Sequence, residues 1–195
     1  MTRPYKPWMF RASLLLCCLV ISCDLVSLRT PEPPDGGSGV YVQADTPEQV
    51  TDNMRSAVSA LSLDAYRRSL APSMRFQPAA GVVSSDPIWQ QWGTNEEERY
   101  FASLVGAVSG QTGHLLTLTN GQYTSITEQQ TLFEASYDLV VQHARSDRPR
   151  RVKGKLTWLM EQDAGGLWDI TDWSDFVGDD DSWPTWTDLK WSFAR

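Results

Sequence analysis

The side chain with the clearest chemistry in this sequence is the thiol of Cys23. It ends a short apolar segment, residues 13–21, and small Ser22 lies between that segment and the thiol. The chain before the segment is basic at Arg3, Lys6 and Arg11. A basic start, a short apolar segment and a small residue at the junction are typical of an export signal. The segment is too short for the roughly 20 residues that a membrane-spanning helix needs.

The five residues that end at this thiol are Leu19, Val20, Ile21, Ser22 and Cys23. They resemble the lipobox of exported bacterial lipoproteins. The resemblance implies that Cys23 receives a diacylglyceryl group, that the chain is cleaved before it, and that its new amino group is acylated. We therefore expect a lipoprotein of the bacterial cell envelope that carries palmitate on Cys23. Its lipid would anchor it to the inner or outer membrane, with its domain in the periplasm or outside the cell. The alternative is an uncleaved anchor or an ordinary secretory signal in which Cys23 has no role.

Cysteine usage and charge exclude several classes of function. The three cysteines, Cys17, Cys18 and Cys23, all lie in the signal region, so the mature domain has no thiol for a disulfide or a thiolate metal site. Without the three basic signal residues, 14 basic residues face 24 acidic ones, a formal charge of −10. A nucleic-acid partner is therefore not expected. The one basic cluster, residues 145–155, is interpreted as a solvated hairpin tip, with an anion site as the alternative.

Composition divides the chain into four parts. Residues 1–22 are the predicted signal peptide, and residues 23–44 are the lipidated cysteine with a flexible linker rich in Pro and Gly. Residues 45–177 form the predicted folded domain, and residues 178–195 form a Trp-rich C-terminal strap. We expect this strap to pack its aromatic side chains onto the domain; if it were exposed, it would instead be a partner surface.

The domain begins with helical signals and continues with strands. Thr46, Pro47 and Gln49 predict a capped helix with an apolar stripe, followed by a second helix at residues 63–70 and a short strand at 74–78. Residues 94–97 predict a second capping box, with Thr94 as the cap of a third helix. Period-two alternation then predicts strands at residues 114–119, 131–143, 152–160 and 167–176. This order predicts an α+β fold in which N-terminal helices pack in a strongly curved antiparallel sheet.

Two stretches carry a resemblance to a known fold family. The first is residues 47–78, with a helix, a second helix bearing Tyr66, and the strand Met74-Arg75-Phe76; the second is the predicted strand at residues 168–173. Together they resemble the nuclear-transport-factor-2-like (NTF2-like), or ketosteroid-isomerase-like, superfamily. The resemblance implies a cone-shaped domain whose cavity hosts catalysis in some members, such as isomerases and dehydratases, and none in others. It is also compatible with a dimer, although the sequence leaves the oligomeric state open.

The candidate pocket consists mainly of aromatic residues that could line such a cone. Its members are Tyr66, Trp89, Trp92, Tyr100, Trp158, Trp168 and Asp172. Aromatic walls with few polar groups suit a small apolar ligand. The alternative is that the tryptophans, of which eight follow Cys23, simply fill a wide core.

Titratable residues give no clear catalytic constellation. Asp172 would have a raised pKa if it pointed into an apolar cavity, but a β-bulge near Thr171 would decide which face it occupies. Asp138 is predicted to lie in a solvent-facing row, and His114 and His143 are predicted to be solvated at strand ends. Residues 178–181 lack the spacing of a calcium loop and are interpreted as a solvated turn. We expect no metal and no cofactor.

These observations favour a non-catalytic envelope lipoprotein whose α+β cone binds a small apolar ligand or an envelope protein. The alternative is an isomerase-like, dehydratase-like or hydrolase-like enzyme that uses an in-cavity carboxylate such as Asp172 on a small hydrophobic substrate.

Overall fold

The computed structural model describes residues 40–81, 83–108, 110 and 112–195, which belong to one compact unit. The predicted signal peptide, Cys23 and most of the predicted linker lie outside the described residues. The helices are α1 Pro47–Ala60, α2 Leu63–Arg68, α3 Thr94–Gly106 and α4 Trp186–Phe193, with a 3-10 helix at Pro87–Gln91. The strands are β1 Leu70–Gln77, β2 Leu115–Thr127, β3 Gln130–Val140, β4 Arg151–Gln162 and β5 Trp168–Phe176.

The five strands form one curved sheet that does not close, in the order β1-β5-β4-β3-β2. Strands β2 to β5 pair antiparallel as a meander, as the alternation predicted. Strand β1 lies at the other edge and pairs parallel with β5, so the sheet is mixed. The predicted α+β fold with helices against a curved sheet is confirmed.

Residues at its two ends determine where helix α1 begins and ends. The Thr46 hydroxyl accepts a hydrogen bond from the Gln49 amide, and the Gln49 side chain accepts one from the Thr46 amide. This is the predicted capping box, and the apolar stripe that includes Val50 and Met54 is buried as expected. The helix ends where Leu61 takes the left-handed conformation with φ 51°.

Two boundaries differ from the sequence prediction. Helix α2 ends at Arg68, and β1 begins at Leu70 and contains Pro72, because Pro is tolerated on an edge strand. The cap of α3 is Gly93 rather than Thr94. The Glu96 carboxylate accepts from the Gly93 amide, while the Thr94 hydroxyl donates to the Ala71 carbonyl across to β1.

A β-bulge in β5 decides which side chains enter the core. Ile170 pairs with Met160 and Asp172 pairs with Leu159, so Thr171 is the extra residue between them. Trp168 and Ile170 point inward before the bulge, and Trp173 and Asp175 point inward after it. The bulge thus turns Asp172 outward and places another carboxylate, Asp175, in the core.

The core lies between the concave face of the sheet and the helices. The inward residues of β3 alternate as predicted, from Phe133 to Leu139. The C-terminal strap contributes α4, whose side chains Trp186, Leu189 and Phe193 are buried in the same core.

Candidate functional site

The polar centre of the core is Glu97, which is fully buried on α3. It lies on the same helix face as Phe101 and Leu104, at the spacing that otherwise carries apolar side chains. One carboxylate oxygen accepts a hydrogen bond from the Tyr66 hydroxyl at 2.6 Å, and the other accepts from the Trp92 indole N–H at 2.5 Å. These two donors fix the orientation of the carboxylate.

The counter-charge of Glu97 is Lys190, which α4 brings from the C-terminal strap. Its Nζ lies 2.8 Å from Glu97 Oε1, and both side chains have 0% exposure. The same nitrogen lies 3.4 Å from the ring centroid of Trp173 and 3.5 Å from that of Phe76. Burial lowers the pKa of Lys190 to about 8, while the charge of Glu97 opposes that shift.

A second buried carboxylate, Asp175, joins β5 to α4. Its Oδ1 accepts from the Tyr137 hydroxyl at 2.7 Å, and its Oδ2 accepts from the amide and hydroxyl of Thr187 at 2.7 and 2.6 Å. The Tyr137 oxygen in turn accepts from the Trp186 amide. Burial raises the pKa of Asp175 above its usual range, although the hydrogen bonds from Thr187 and Tyr137 oppose the rise.

Indole rings fill the space around these polar groups. Trp173 meets Trp158 edge to face at 5.5 Å and Trp186 edge to face at 4.6 Å between ring centroids. The Trp186 indole N–H donates to the Tyr100 hydroxyl at 3.0 Å. All three tryptophans are at most 1% exposed, so the concave side of the sheet is occupied here by the side chains of the chain itself.

Solved structures share this arrangement of helices and sheet. A candidate scytalone dehydratase from Novosphingobium aromaticivorans superposes with a TM-score of 0.53 at 10% sequence identity, over 66% of this chain and 78% of that one. An NTF2-like protein of unknown function from Pseudomonas putida KT2440 superposes with a TM-score of 0.50 at 13% identity, over 68% and 84%. The fold is NTF2-like. The sequence itself matches no protein-family model and no curated protein.

The NTF2-like domain brings only some of the candidate pocket residues together. Tyr66 and Trp92 meet at Glu97, and Tyr100 lies one helical turn further along α3. Trp158 lies in the indole cluster around Trp173. Trp89 packs beside Trp92, with ring centroids 4.7 Å apart and its indole N–H donating to the Val83 carbonyl. Trp168 lies apart from the others, at the opposite end of β5 from Asp175.

Asp172 is not part of the buried cluster. The bulge directs it to the exposed face, where it pairs in register with Arg75 of β1. Partial burial raises its pKa, and the charge of Arg75 opposes the rise. It borders an open surface depression of about 660 Å³, which Trp89 and Trp92 also line. Asp172 therefore does not lie inside the cone, because the extra residue in β5 turns it to the other face of the sheet.

Both histidines are buried, which contradicts the expectation that they are solvated. His143 is 0% exposed; its ring meets the Phe193 ring at 5.0 Å, and its Nε2 lies 3.0 Å from the Pro149 carbonyl oxygen. His114 is 8% exposed and accepts a hydrogen bond from the Gln142 amide at Nδ1. They are buried because the segments after β3 and before β2 pack on the domain instead of ending in solvent.

The other acidic residues named in the sequence analysis form ion pairs or turn contacts at the surface. Asp138 forms ion pairs with Arg151 and Lys153 of β4, and Arg151 holds the pKa of Asp138 below its usual range. Asp179 pairs with Lys155, and Asp180 accepts hydrogen bonds from Ser182. Within the described residues, no group of three or more His, Cys, Asp or Glu could hold a metal ion, and no helix is long and apolar enough to cross a membrane.

Sequence reasoning missed the three charged residues of the core, Glu97, Asp175 and Lys190. A signal existed for two of them, because Glu97 shares the apolar spacing of α3 and Lys190 lies between the apolar residues of α4. Asp175 could be placed only once the bulge was known.

Proposed function

We propose that this protein is a lipid-anchored component of the bacterial cell envelope whose NTF2-like domain acts by binding a protein partner at its outer surface, and not by catalysis within the cone. The observation that carries the proposal is the occupied concave side, where Trp158, Trp173, Trp186 and Lys190 are at most 1% exposed. A small apolar ligand or substrate that entered the concave side of the sheet would have to displace these side chains, and the loss of such packing is costly.

The edge strand β2 is the surface on which we expect the partner. From Thr119 to Thr127 every residue is exposed, and the whole strand contains neither a charged residue nor a proline. Among the described residues its outer edge pairs with no strand. Natural edge strands are usually protected by charges, proline or β-bulges. Strand β2 has no charge and no proline, and between its two register shifts residues 122–125 pair regularly with β3, so this uncharged stretch suits an added strand from a partner. The occupant we propose is an extended, uncharged segment of an envelope protein.

The enzyme alternative rests on Asp172, which lies on the exposed face of the sheet beside Arg75. The open depression next to it is lined mostly by residues of β1 and of the 3-10 helix. No specific feature favours this alternative over binding.

The anchor is tested by Cys23→Ser, with Cys18→Ser as the matched control. Because serine has no thiol to accept the diacylglyceryl group, Cys23→Ser should abolish incorporation of labelled palmitate and leave an unprocessed precursor. Cys18→Ser should mature normally. If the Cys23→Ser chain incorporates labelled palmitate and reaches the mass of the wild-type protein, the N-terminal segment is not a lipoprotein signal.

Binding at β2 is tested by photo-crosslinking in the native host, with a photoreactive residue at Thr124. We expect one discrete adduct that disappears when Ile126→Lys places a charge on the edge. Gln77→Lys, a charge on the opposite edge strand, should leave the adduct intact. An adduct that survives Ile126→Lys, or no adduct at Thr124, would refute binding at this edge.

A further inference from the structure

The ammonium group of Lys190 lies in surroundings that have the chemistry of a cation receptor. A carboxylate oxygen of Glu97 is 2.8 Å away, and the ring centroids of Trp173 and Phe76 are 3.4 and 3.5 Å away. Aromatic faces attract cations through their ring quadrupole, and the attraction is strongest where water is excluded. Here both the cation and the carboxylate have 0% exposure.

The receptor groups nearest to the ammonium come from elements other than the helix that carries the lysine; the Trp186 ring of that helix lies farther away, at 5.7 Å. Glu97 belongs to α3, Phe76 to β1 and Trp173 to β5. The carboxylate is already oriented by the Tyr66 hydroxyl and the Trp92 indole. The contribution of α4 to this arrangement is therefore mainly the ammonium itself, which enters from one side.

We propose that the core of the domain contains a binding site for a primary ammonium on an unbranched alkyl chain, and that Lys190 occupies this site as an internal ligand. The ammonium of Lys190, bound in this site, then holds α4 in its place on the domain. A quaternary ammonium does not fit, because its methyl groups keep the nitrogen from approaching a carboxylate oxygen at 2.8 Å. A neutral alcohol fits by size but leaves the carboxylate without a counter-charge.

The proposal predicts chemical rescue of Lys190→Ala. This change removes the four atoms beyond Cβ, which n-propylammonium replaces, and it leaves the buried Glu97 carboxylate without a counter-charge. We expect the variant to have a lower Tm than the wild-type chain. In the full-length protein in detergent, 50 mM n-propylammonium should raise that Tm by about 3 °C or more, because a ligand that binds only the folded state stabilises it.

Three control chains and two control compounds separate recognition from a general solvent effect. The wild-type chain should not respond, because Lys190 already fills the site, and Lys190→Met should not respond, because its neutral side chain fills the same space. Glu97→Gln combined with Lys190→Ala keeps the space but loses the carboxylate, so it should not respond either. For Lys190→Ala, 1-propanol and tetramethylammonium should have no effect.

The proposal is overturned if n-propylammonium stabilises Lys190→Ala no more than 1-propanol does, or if it stabilises the wild-type chain equally. If Lys190→Ala does not accumulate as folded protein, the same comparison is made by refolding it from urea with and without n-propylammonium. Recovery of the near-UV signal of its tryptophans with the amine alone supports the site, and no recovery refutes it.

Discussion

At the scale of single residues, Glu97 and Lys190 are each unfavourable in the core without the other. Both are fully buried, and the transfer of an isolated charge from water into a protein interior is far more costly than the transfer of a paired one. The Tyr66 and Trp92 donors compensate the carboxylate in part, and the rings of Trp173 and Phe76 compensate the ammonium in part. The pair is therefore a strongly coupled unit.

We expect Glu97→Gln to lower the free energy of unfolding by about 3–5 kcal/mol, because it leaves the Lys190 charge buried without a counter-ion. The double variant Glu97→Gln with Lys190→Met should be clearly more stable than the sum of the two single changes predicts, since neither charge then remains. Urea unfolding of the four chains gives the coupling directly. Additive effects would show that the two charges are independent of each other.

A second residue-scale prediction concerns Gly154 in β4. A Cβ added there would lie 2.4 Å from the Phe176 carbonyl oxygen and 2.6 Å from the Tyr137 hydroxyl oxygen, which is bonded to Asp175. Gly154→Ala should therefore lower the free energy of unfolding by about 2–3 kcal/mol, as overpacking does. Gly81→Ala, where a Cβ meets nothing within 4 Å, is the matched control and should change it by less than about 0.5 kcal/mol. Equal effects at the two glycines would contradict the close contact.

At the scale of elements, the extra residue Thr171 controls the composition of the core. Because side chains in a strand alternate between faces, one residue more or less reverses every side chain beyond it. The bulge is what points both Trp173 and Asp175 inward and Asp172 outward.

Deletion of Thr171 should be compatible with native packing, because Ile170 and Asp172 already oppose consecutive residues of β4 and regular alternation then keeps Trp173 and Asp175 inward. Deletion of Ser174, beyond the bulge, is the contrast: it would turn Asp175 away from its partners Tyr137 and Thr187 and should prevent native packing. Near-UV circular dichroism reports whether the tryptophans are held in fixed positions. Loss of the native signal in the Thr171 deletion would mean that Thr171 is not the extra residue of the strand.

Local elements could be predicted from the sequence, and long-range pairings could not. Helix α1 was predictable because the Thr46 capping box and the buried stripe lie within one segment, and the meander was predictable because alternation is local. The inclusion of Pro72 in β1 was not, because it depends on the parallel pairing with β5. The buried charges were not predictable either: Glu97 is tolerable in the core only because Lys190, from the other end of the domain, lies beside it.

At the scale of the whole molecule, the C-terminal strap is part of the same core as the sheet. The amide of Trp186 donates to Tyr137, its indole donates to Tyr100, and Thr187 donates twice to Asp175. Without these partners, the Tyr100 hydroxyl would lose its indole donor, and Tyr137 and Asp175 would keep only the hydrogen bond between themselves.

A chain that ends at Val177 should therefore not unfold cooperatively, because it loses α4 and leaves both Glu97 and Asp175 without their partners from that helix. A chain that ends at Phe193 is the matched control. It loses the surface contacts of Arg195 with Asp86, the Trp191 ring and Arg148, together with the contacts of Ala194, so its stability should fall by no more than about 1 kcal/mol. Urea unfolding followed by tryptophan fluorescence distinguishes the two. A sharp transition in the shorter chain would mean that the domain folds without the strap. The buried cluster around Lys190 would then not be required for the cooperative fold.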